Sequence, residues 1–256
     1  MKFFKIITTL LFFIFSTQNG HSQQVDSTKT VANFSGTIGL TNNGFSIIPT
    51  FSLNNPAAIV LLSWQKKRWS FDPDIRLVPD ASKGSMLFWL RYRIIEQQKF
   101  SLRVGVHPAF NFVRRKVADN GKTVEITELL RFVAGEVAPN YQISPNWSVG
   151  AVYFYGKALQ KHGPQRTHVL FLNTSVSNIK ISNHFRFQLV PMVYFLYPDS
   201  FKGTYLSVTG ILSRKNFPFT LQSTINQTFN SDIPDNKHFM WNVMVAYNFS
   251  KNYKRI

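Results

Sequence analysis

Cysteine is absent from the 256 residues, which excludes disulfide bonds, thiolate metal sites, cysteine nucleophiles and lipid attachment through an N-terminal cysteine. Charged residues are also scarce, at 16% of the chain against about 25% in soluble domains. The acidic sign is the scarcer one, because 12 Asp and Glu stand against 29 Lys and Arg, for a net charge of +17. A surface exposed to water would therefore be unusually poor in charge.

Long hydrophobic runs are missing as well. After residue 22 the longest obvious apolar run is 57–62, far short of the roughly 20 residues that a membrane helix needs, so helical membrane spans are excluded. The segment 1–22 is predicted to be a cleavable secretory signal, because Lys2 and Lys5 flank the start of an apolar stretch at 6–15. Export argues against nucleic acid as a partner. The basic excess is expected to face outer-membrane lipid, lipopolysaccharide or small anionic solutes.

The dominant pattern from about residue 31 onward has period two, which predicts strands with one apolar and one polar face. The clearest example is 239–250, where aromatic residues and valines alternate with Asn, Met, Ala and Ser. The phase changes near Gly135-Glu136, where we expect a β-bulge. The predicted strands are approximately 44–54, 57–65, 68–78, 84–95, 99–113, 123–141, 146–156, 166–177, 184–197, 202–213, 216–229 and 238–250, with 31–41 as a candidate thirteenth.

Period two fits both a transmembrane barrel and a soluble β-sandwich. The polar faces favour the barrel, because they carry mostly Ser, Thr, Asn, Gln and Gly with scattered Arg, whereas a sandwich exposes many Lys and Glu. Strands of ten or more residues also match the roughly 9–11 that cross a bilayer at a tilt. Short connections such as 65–67 alternate with longer hydrophilic ones such as 114–122, as in outer-membrane barrels. The sequence predicts an all-β, transmembrane antiparallel up-and-down barrel of about twelve strands in the outer membrane.

The barrel is predicted to occupy residues 44–250, followed by a basic C-terminal tail at 251–256. The segment 23–43 has three interpretations: an extra strand, an inner plug or a periplasmic extension. Asn42-Asn43-Gly44 is a hairpin signal that would join 31–41 to the first predicted strand.

Several segments carry distinctive local sequences, namely Asn42-Asn43-Gly44-Phe45-Ser46-Ile47-Ile48-Pro49-Thr50-Phe51-Ser52-Leu53, Pro56-Ala57-Ala58-Ile59, Arg103-Val104-Gly105-Val106-His107-Pro108-Ala109-Phe110-Asn111-Phe112, Asp232-Ile233-Pro234 and Phe239-Met240-Trp241-Asn242-Val243. They resemble those of an uncharacterised family of exported Gram-negative outer-membrane β-barrels. The resemblance implies a fold and a location, with no activity attached, and it implies the barrel assembly machinery as a partner through the last strand. Many such barrels end on an aromatic residue, whereas here Phe249 is followed by 250–256.

Catalytic and metal-binding motifs are not found. The histidines after the signal are dispersed, and the sequence has no His-Glu-x-x-His, no Gly-x-Ser-x-Gly and no phosphate loop. Neither adjacent His-Ser nor His-x-Ser occurs after residue 22. We therefore expect no catalytic residue, metal or cofactor, and a protein that is not an enzyme. The rival hypothesis is an outer-membrane lipid-modifying hydrolase of the phospholipase or lipid A deacylase type.

The alternation places a cluster of charged or titratable residues inside the barrel: Asp72, Asp74, Arg76, Arg91, Arg93, Arg103, His107, Arg131 and Arg186. It could be a structural ion-pair network, since an unpaired buried charge is costly, or a water-filled constriction in which surplus arginine favours anions. His107 is expected to be a hydrogen-bonded lumen residue rather than a pH gate. Asp72 and Asp74 are expected to form ion pairs rather than a cation site.

A second set of residues, all aromatic, is predicted to face the lipid headgroups as interfacial girdles: Trp69, Phe100, Phe112, Trp147, Phe195, Tyr197, Trp241, Tyr247 and Phe249.

The function expected from the sequence is passive. We expect either a narrow channel for small, preferentially anionic solutes or a structural membrane protein with a closed lumen.

Overall fold

The computed structural model describes residues 30–47, 51–119, 122–161, 163–234 and 236–254. The predicted signal at 1–22 lies outside the described residues. No helix in the described part of the chain is long and apolar enough to cross a membrane. The described residues form strands β1 (Thr30–Thr41), β2 (Ala57–Lys66), β3 (Trp69–Leu77), β4 (Lys83–Glu96), β5 (Phe100–Asp119), β6 (Lys122–Ser144), β7 (Trp147–Ala158), β8 (Arg166–Lys180), β9 (Phe185–Pro198), β10 (Gly203–Arg214), β11 (Phe219–Ser231) and β12 (Phe239–Lys254).

The strands form one closed antiparallel barrel, so the predicted fold class and its twelve strands are confirmed. Each strand pairs with its sequence neighbours, and β1 closes the ring by pairing with both β12 and β2. Closure satisfies every strand edge within the sheet, as a span in hydrocarbon requires. The short turns, such as 67–68 between β2 and β3, lie at the same end as the start of β1 and the end of β12. In outer-membrane barrels that end faces the periplasm.

The strand predicted at 44–54 is wrong, and the candidate strand at 31–41 is the one that the barrel uses. The barrel thus begins at Thr30 rather than at residue 44. Phe45, Phe51 and Leu53 do alternate with polar residues as in a strand, but their side chains are buried, with 8%, 7% and 2% of their surface exposed. Period two cannot distinguish a strand in the wall from an extended segment packed inside it.

Three further predictions need correction. The hydrophilic connection expected at 114–122 is mostly a hairpin, because β5 and β6 stay paired from Arg114↔Thr127 to Asp119↔Lys122. No bulge interrupts β6 near Gly135-Glu136, where the register with β5 is continuous. Along the chain, the inward face of β6 changes there from apolar (Phe132, Ala134) to polar (Glu136, Asn140). The segment 251–254 belongs to β12 and pairs with β1, so it is not a tail.

The outer face of the barrel is apolar over its middle. On β8, Leu170 and Leu172 point outward with 37% and 45% of their surface exposed, whereas Val169 between β7 and β9 is fully buried inside. Outward aromatic rings contact one another near the short-turn end, for example Phe219 with Tyr247 at 5.3 Å between ring centroids. An exposed apolar band bounded by aromatic rings is typical of a surface in contact with lipid.

The connection between β1 and β2 folds into the barrel, and we call its described parts, 42–47 and 51–56, the inner loop. Phe51 packs against Phe132 of the wall, with ring centroids 5.4 Å apart. Ile47 packs against a buried cluster formed by the inward side chains of the wall. This cluster consists of Trp89, Ala134, Phe154, Val169, Tyr194, Leu196 and Tyr205. The half of the barrel away from the short turns therefore contains a packed layer of apolar side chains.

Candidate functional site

The other half of the barrel, near the short turns, contains a polar cavity of about 560 Å³. Its wall comes from the adjacent strands β2 to β8 and carries small hydroxyl and amide side chains such as Ser63, Gln65 and Asn140. Four arginines also line it, against one carboxylate, Asp72. We call this cavity, lined by Arg68, Arg91, Arg93 and Arg103, the basic cup.

A buried carboxylate organises the basic cup. Glu136 on β6 is 7% exposed, and its Oε1 accepts hydrogen bonds from Arg91 Nε at 2.8 Å and Arg103 Nε at 3.0 Å. Arg91 also donates through Nη1 to Asp72 Oδ2 at 2.8 Å, and its guanidinium lies 4.1 Å from the Trp89 ring centroid. Arg91 is thus held on three sides, whereas Arg103, with 41% of its side chain exposed, is held through Nε alone in the described structure.

Gly105 makes room for this arrangement. It lies on β5 opposite Glu136, and a Cβ at this position would come within 2.9 Å of Arg91 Cγ and 3.1 Å of Glu136 Cγ. Such contacts are closer than van der Waals packing allows, so any side chain here would push the arginine and the carboxylate apart. The missing side chain of Gly105 thus lets three strands bring one carboxylate and two guanidinium groups together.

Three residues of the predicted cluster, Asp74, Arg76 and His107, lie deeper in the barrel. Arg76 pairs with Asp74 at 2.7 Å, and its Nη1 donates to the carbonyl oxygen of Phe45 in the inner loop at 3.0 Å. His107 is 2% exposed and lies against the Trp89 ring at 3.9 Å between centroids. Its Nδ1 lies 3.2 Å from the carbonyl oxygen of Pro108.

The remaining members of the predicted cluster lie apart from this network. Arg93 lines the basic cup and pairs with Glu96 near a short turn. Arg186 is half-buried and donates to Asn178 Oδ1 at 3.0 Å and to the carbonyl oxygen of Ser182 in a turn. Arg131 was predicted to line the lumen, and this is wrong. Its neighbour Phe132 is buried inside, so strand alternation turns the exposed Arg131 outward.

Sequence reasoning missed Glu136, the residue that joins the basic cup together. The expected bulge at Gly135-Glu136 is the cause, since a slip there would turn Glu136 outward and Arg131 inward. Counting alternate residues back from Asn140 without a slip places Glu136 inside and Arg131 outside. Arg68 was also missed, because it lies at the turn between β2 and β3 and follows no strand pattern.

The predicted girdle residues lie on outward positions at both ends of the barrel. Those near the short turns are Trp69, Phe100, Trp147, Tyr247 and Phe249, and those near the other end are Phe112, Phe195, Tyr197 and Trp241. Two residues that were not predicted lie on the same face, where Tyr153 OH and His168 Nδ1 are 2.7 Å apart.

That the histidines form no catalytic or metal-binding site stays a prediction. In the parts of the chain that the structure describes, no histidine side chain is hydrogen-bonded to a serine hydroxyl, and no three His, Cys, Asp or Glu side chains are grouped as metal ligands would be. The absence of enzyme activity and the rival lipid hydrolase both remain untested predictions.

Comparison with known proteins supports the fold. No protein-family model and no curated protein sequence matches the chain. The solved structure of LpxR from Salmonella typhimurium is similar, with a TM-score of 0.50 and 9% identity over 84% of this chain and 100% of that chain. The chain is an outer-membrane β-barrel. The COG4313 outer membrane channel from Pseudomonas putida F1 has a TM-score of 0.49 and 11% identity over 91% of this chain and 100% of that chain. The KdgM porin has a TM-score of 0.49 and 9% identity over 85% of this chain and 99% of that chain.

These likenesses extend to the fold alone, because sequence identity is too low to carry residues or ligands across. The closed strand order and the outward apolar band show the same fold independently of these likenesses. The fold implied by the resemblance to exported Gram-negative barrels is therefore confirmed.

Removing the charge of Glu136 is expected to loosen the barrel. Glu136→Gln keeps the shape of the side chain but leaves Arg91 and Arg103 without their shared carboxylate. We expect the free energy of unfolding to fall by about 1–3 kcal/mol, below the cost for fully buried pairs because Arg103 stays partly wet. Urea titration of the barrel refolded in phospholipid vesicles measures it.

Glu96→Gln is the matched control for this measurement, because Glu96 also pairs with an arginine but has 48% of its side chain exposed. We expect its effect to stay below about 0.5 kcal/mol. Equal effects of the two variants would show that the Glu136 pair contributes no more than a surface ion pair.

Proposed function

We propose that this protein is a narrow passive channel for small anionic solutes, and that the inner loop closes it in the conformation described here. The observation that carries the proposal is the basic cup, a water-accessible cavity whose lining contains four arginines and a single carboxylate. Basic side chains around a constriction lower the barrier for anions and raise it for cations.

The charge balance of the basic cup remains positive after its ion pairs are counted. Its four arginines face three carboxylates in the described structure, Asp72, Glu96 and Glu136. Arg103 is the group best placed to meet a solute. Its terminal nitrogens make no ion pair in the described structure, and a guanidinium fork suits carboxylate or phosphate oxygens.

A structural membrane protein with a closed lumen is the second candidate. The observation in its favour is the apolar packing in the opposite half, where Phe51 and Ile47 of the inner loop pack against the wall. The two candidates differ in one respect. A channel conducts once the inner loop leaves the lumen, whereas a structural barrel has side chains that block it in any loop position.

The selectivity of the open form tests the channel proposal. The variant tested lacks residues 45–52 of the inner loop. In planar bilayers with a salt gradient, it is expected to show a reversal potential that favours chloride over potassium. Arg103→Gln in that background is expected to lower the chloride-to-potassium permeability ratio by about two- to fivefold, because it removes a cation that lines the basic cup. Single-channel recording at both polarities provides the ratio.

Arg131→Gln is the matched control, since it removes the same charge from the outward face. It should leave the permeability ratio unchanged. Cation preference, or equal changes in both variants, would contradict a role for the basic cup in solute selection.

A further inference from the structure

A second cavity lies at the opposite end of the barrel. It measures about 860 Å³, within the range of small-molecule sites, and we call it the outer cavity. The inward faces of the wall, the inner loop and the connection between β11 and β12 enclose it. The apolar cluster separates it from the basic cup, so a ligand in one cavity would not reach the residues of the other.

The inner wall of the outer cavity combines aromatic and apolar surface. Tyr194 and Tyr205 are 1% and 2% exposed and stack with ring centroids 4.7 Å apart and an interplanar angle of 10°. Ile47 and Ile233 pack against the same cluster, and both line the cavity. A flat or extended apolar group of a ligand would find a preformed surface here.

One polar group in this wall lacks a partner. Asn226 is 1% exposed and lines the outer cavity, and its Oδ1 accepts the hydrogen bond of Tyr194 OH at 2.9 Å. Its Nδ2 has no hydrogen-bond partner among the described residues. A buried amide donor without an acceptor is destabilising, so a native structure is expected to supply an acceptor to it.

The mouth of the outer cavity is basic. Its described lining includes Lys83, Arg115 and Lys237, against one carboxylate, Asp199. Asp199 already accepts hydrogen bonds from the backbone N–H groups of Gln165 and Arg166.

The two lysines at the mouth are held only by neutral groups. Lys83 Nζ donates to Asn55 Oδ1 at 3.2 Å, and Lys237 Nζ lies 3.5 Å from Asn54 Oδ1. Their positive charges have no carboxylate partner in the described structure.

We propose that the outer cavity binds a small amphipathic anion, with its apolar body against Tyr194, Ile47 and Ile233 and its carboxylate at Lys83 and Lys237. A hydrogen-bond acceptor on the apolar body meets Asn226 Nδ2. The site is independent of the channel proposal, because its ligand binds from the outer end and needs no path through the barrel.

Titration with 6-hydroxy-2-naphthoate tests this site. The barrel is placed in lipid nanodiscs, and binding is followed by saturation-transfer difference NMR and calorimetry, with empty nanodiscs subtracted. We expect saturable binding with a dissociation constant between about 10 µM and 1 mM, the range for a ligand of this size. The neutral 6-hydroxy-2-naphthamide is expected to bind about tenfold more weakly, because it lacks the charge that Lys83 and Lys237 recognise.

Two variants locate the site. Lys83→Gln with Lys237→Gln is expected to weaken naphthoate binding about tenfold and to leave amide binding unchanged. Asn226→Leu is expected to weaken both ligands. Asn226 also accepts the hydrogen bond of Tyr194, so the Asn226→Leu result is used only if that variant folds. If it does not fold, the double lysine variant alone tests the site. Lys66→Gln with Lys180→Gln, at the short-turn end, is the control and should not change binding.

Three outcomes would overturn the proposal. The first is the absence of saturable binding above that of empty nanodiscs. The second is equal affinity for the naphthoate and the amide. The third is a loss of binding in Arg103→Gln but not in the lysine variant, which would place the anion in the basic cup. None of these measurements depends on ionic current, so a failed channel proposal would leave this one standing.

Discussion

Deletion of residues 45–52 is expected to raise the ionic current through the barrel in planar bilayers by about tenfold or more, because it removes the apolar side chains that exclude water from one half of the lumen. The unaltered protein is expected to conduct little. About eight strands enclose a space that wall side chains can fill, and sixteen leave an aqueous channel. A barrel of twelve strands lies between these sizes, and here the inner loop occupies part of the remaining space.

The deletion should leave the wall intact. Gly44 and Leu53 are already neighbours, since Leu53 N donates to the Gly44 carbonyl oxygen at 2.8 Å and Gly44 N donates to the Asn55 carbonyl oxygen at 2.8 Å. Joining Gly44 directly to Leu53 therefore closes a short connection between β1 and β2. The hydrogen bond from Arg76 to the Phe45 carbonyl oxygen is lost, but Arg76 keeps Asp74.

The control for this experiment shortens a different connection. Residues 117–124 are replaced by Asn-Gly, which trims the part of the β5–β6 hairpin that pairs with neither β4 nor β7. Its current should match that of the unaltered protein. If the barrel without residues 45–52 folds and still fails to conduct, the channel proposal is lost and the structural candidate is favoured.

Placing a charge on the outer face is expected to have the second large effect. Leu172 points outward on β8, and it lies four residues from His168, the partner of the girdle residue Tyr197, and four from Val176, the partner of Trp147. It therefore lies near the middle of the bilayer. Leu172→Lys is expected to reduce the free energy of unfolding by about 2–4 kcal/mol, the cost of a lysine at the midplane of a barrel.

Its neighbour provides the matched comparison. Asn173 follows Leu172 on the same strand, points inward and lines the basic cup. Asn173→Lys is expected to cost less than about 1 kcal/mol, because its ammonium group remains in water. Urea titration of both variants in phospholipid vesicles measures the difference. Equal costs would mean that water contacts both faces, which would contradict a membrane-spanning wall.

The architecture could be predicted because the alternation within each wall strand indicates which of its faces meets lipid and which faces the lumen. In β12, Trp241, Val243 and Val245 alternate with Asn242 and Met244, and this alternation specifies which side meets lipid whatever the rest of the chain does. Most strand positions, the fold class and the outer-membrane location followed from it.

The wrong predictions concern segments whose local sequence pattern fits two different positions in the barrel. Phe45, Phe51 and Leu53 alternate as in a strand, yet β1 and β2 pair with each other and leave that segment inside the lumen. Glu136 presents the converse case. It stands among apolar neighbours, and we interpreted the change of pattern there as a β-bulge. Nothing in β6 itself reveals that Arg91 and Arg103 lie beside Glu136 in the barrel.

The sequence by itself determined that this chain crosses the outer membrane as a closed sheet of strands, since alternation is a property of successive residues. Only the tertiary structure decided what occupies the lumen. Filling that space depends on contacts between residues far apart in the chain, such as Arg91 with Glu136 and Phe51 with Phe132, and on the space left by Gly105. Such contacts follow from strand register and barrel closure, which no single segment encodes.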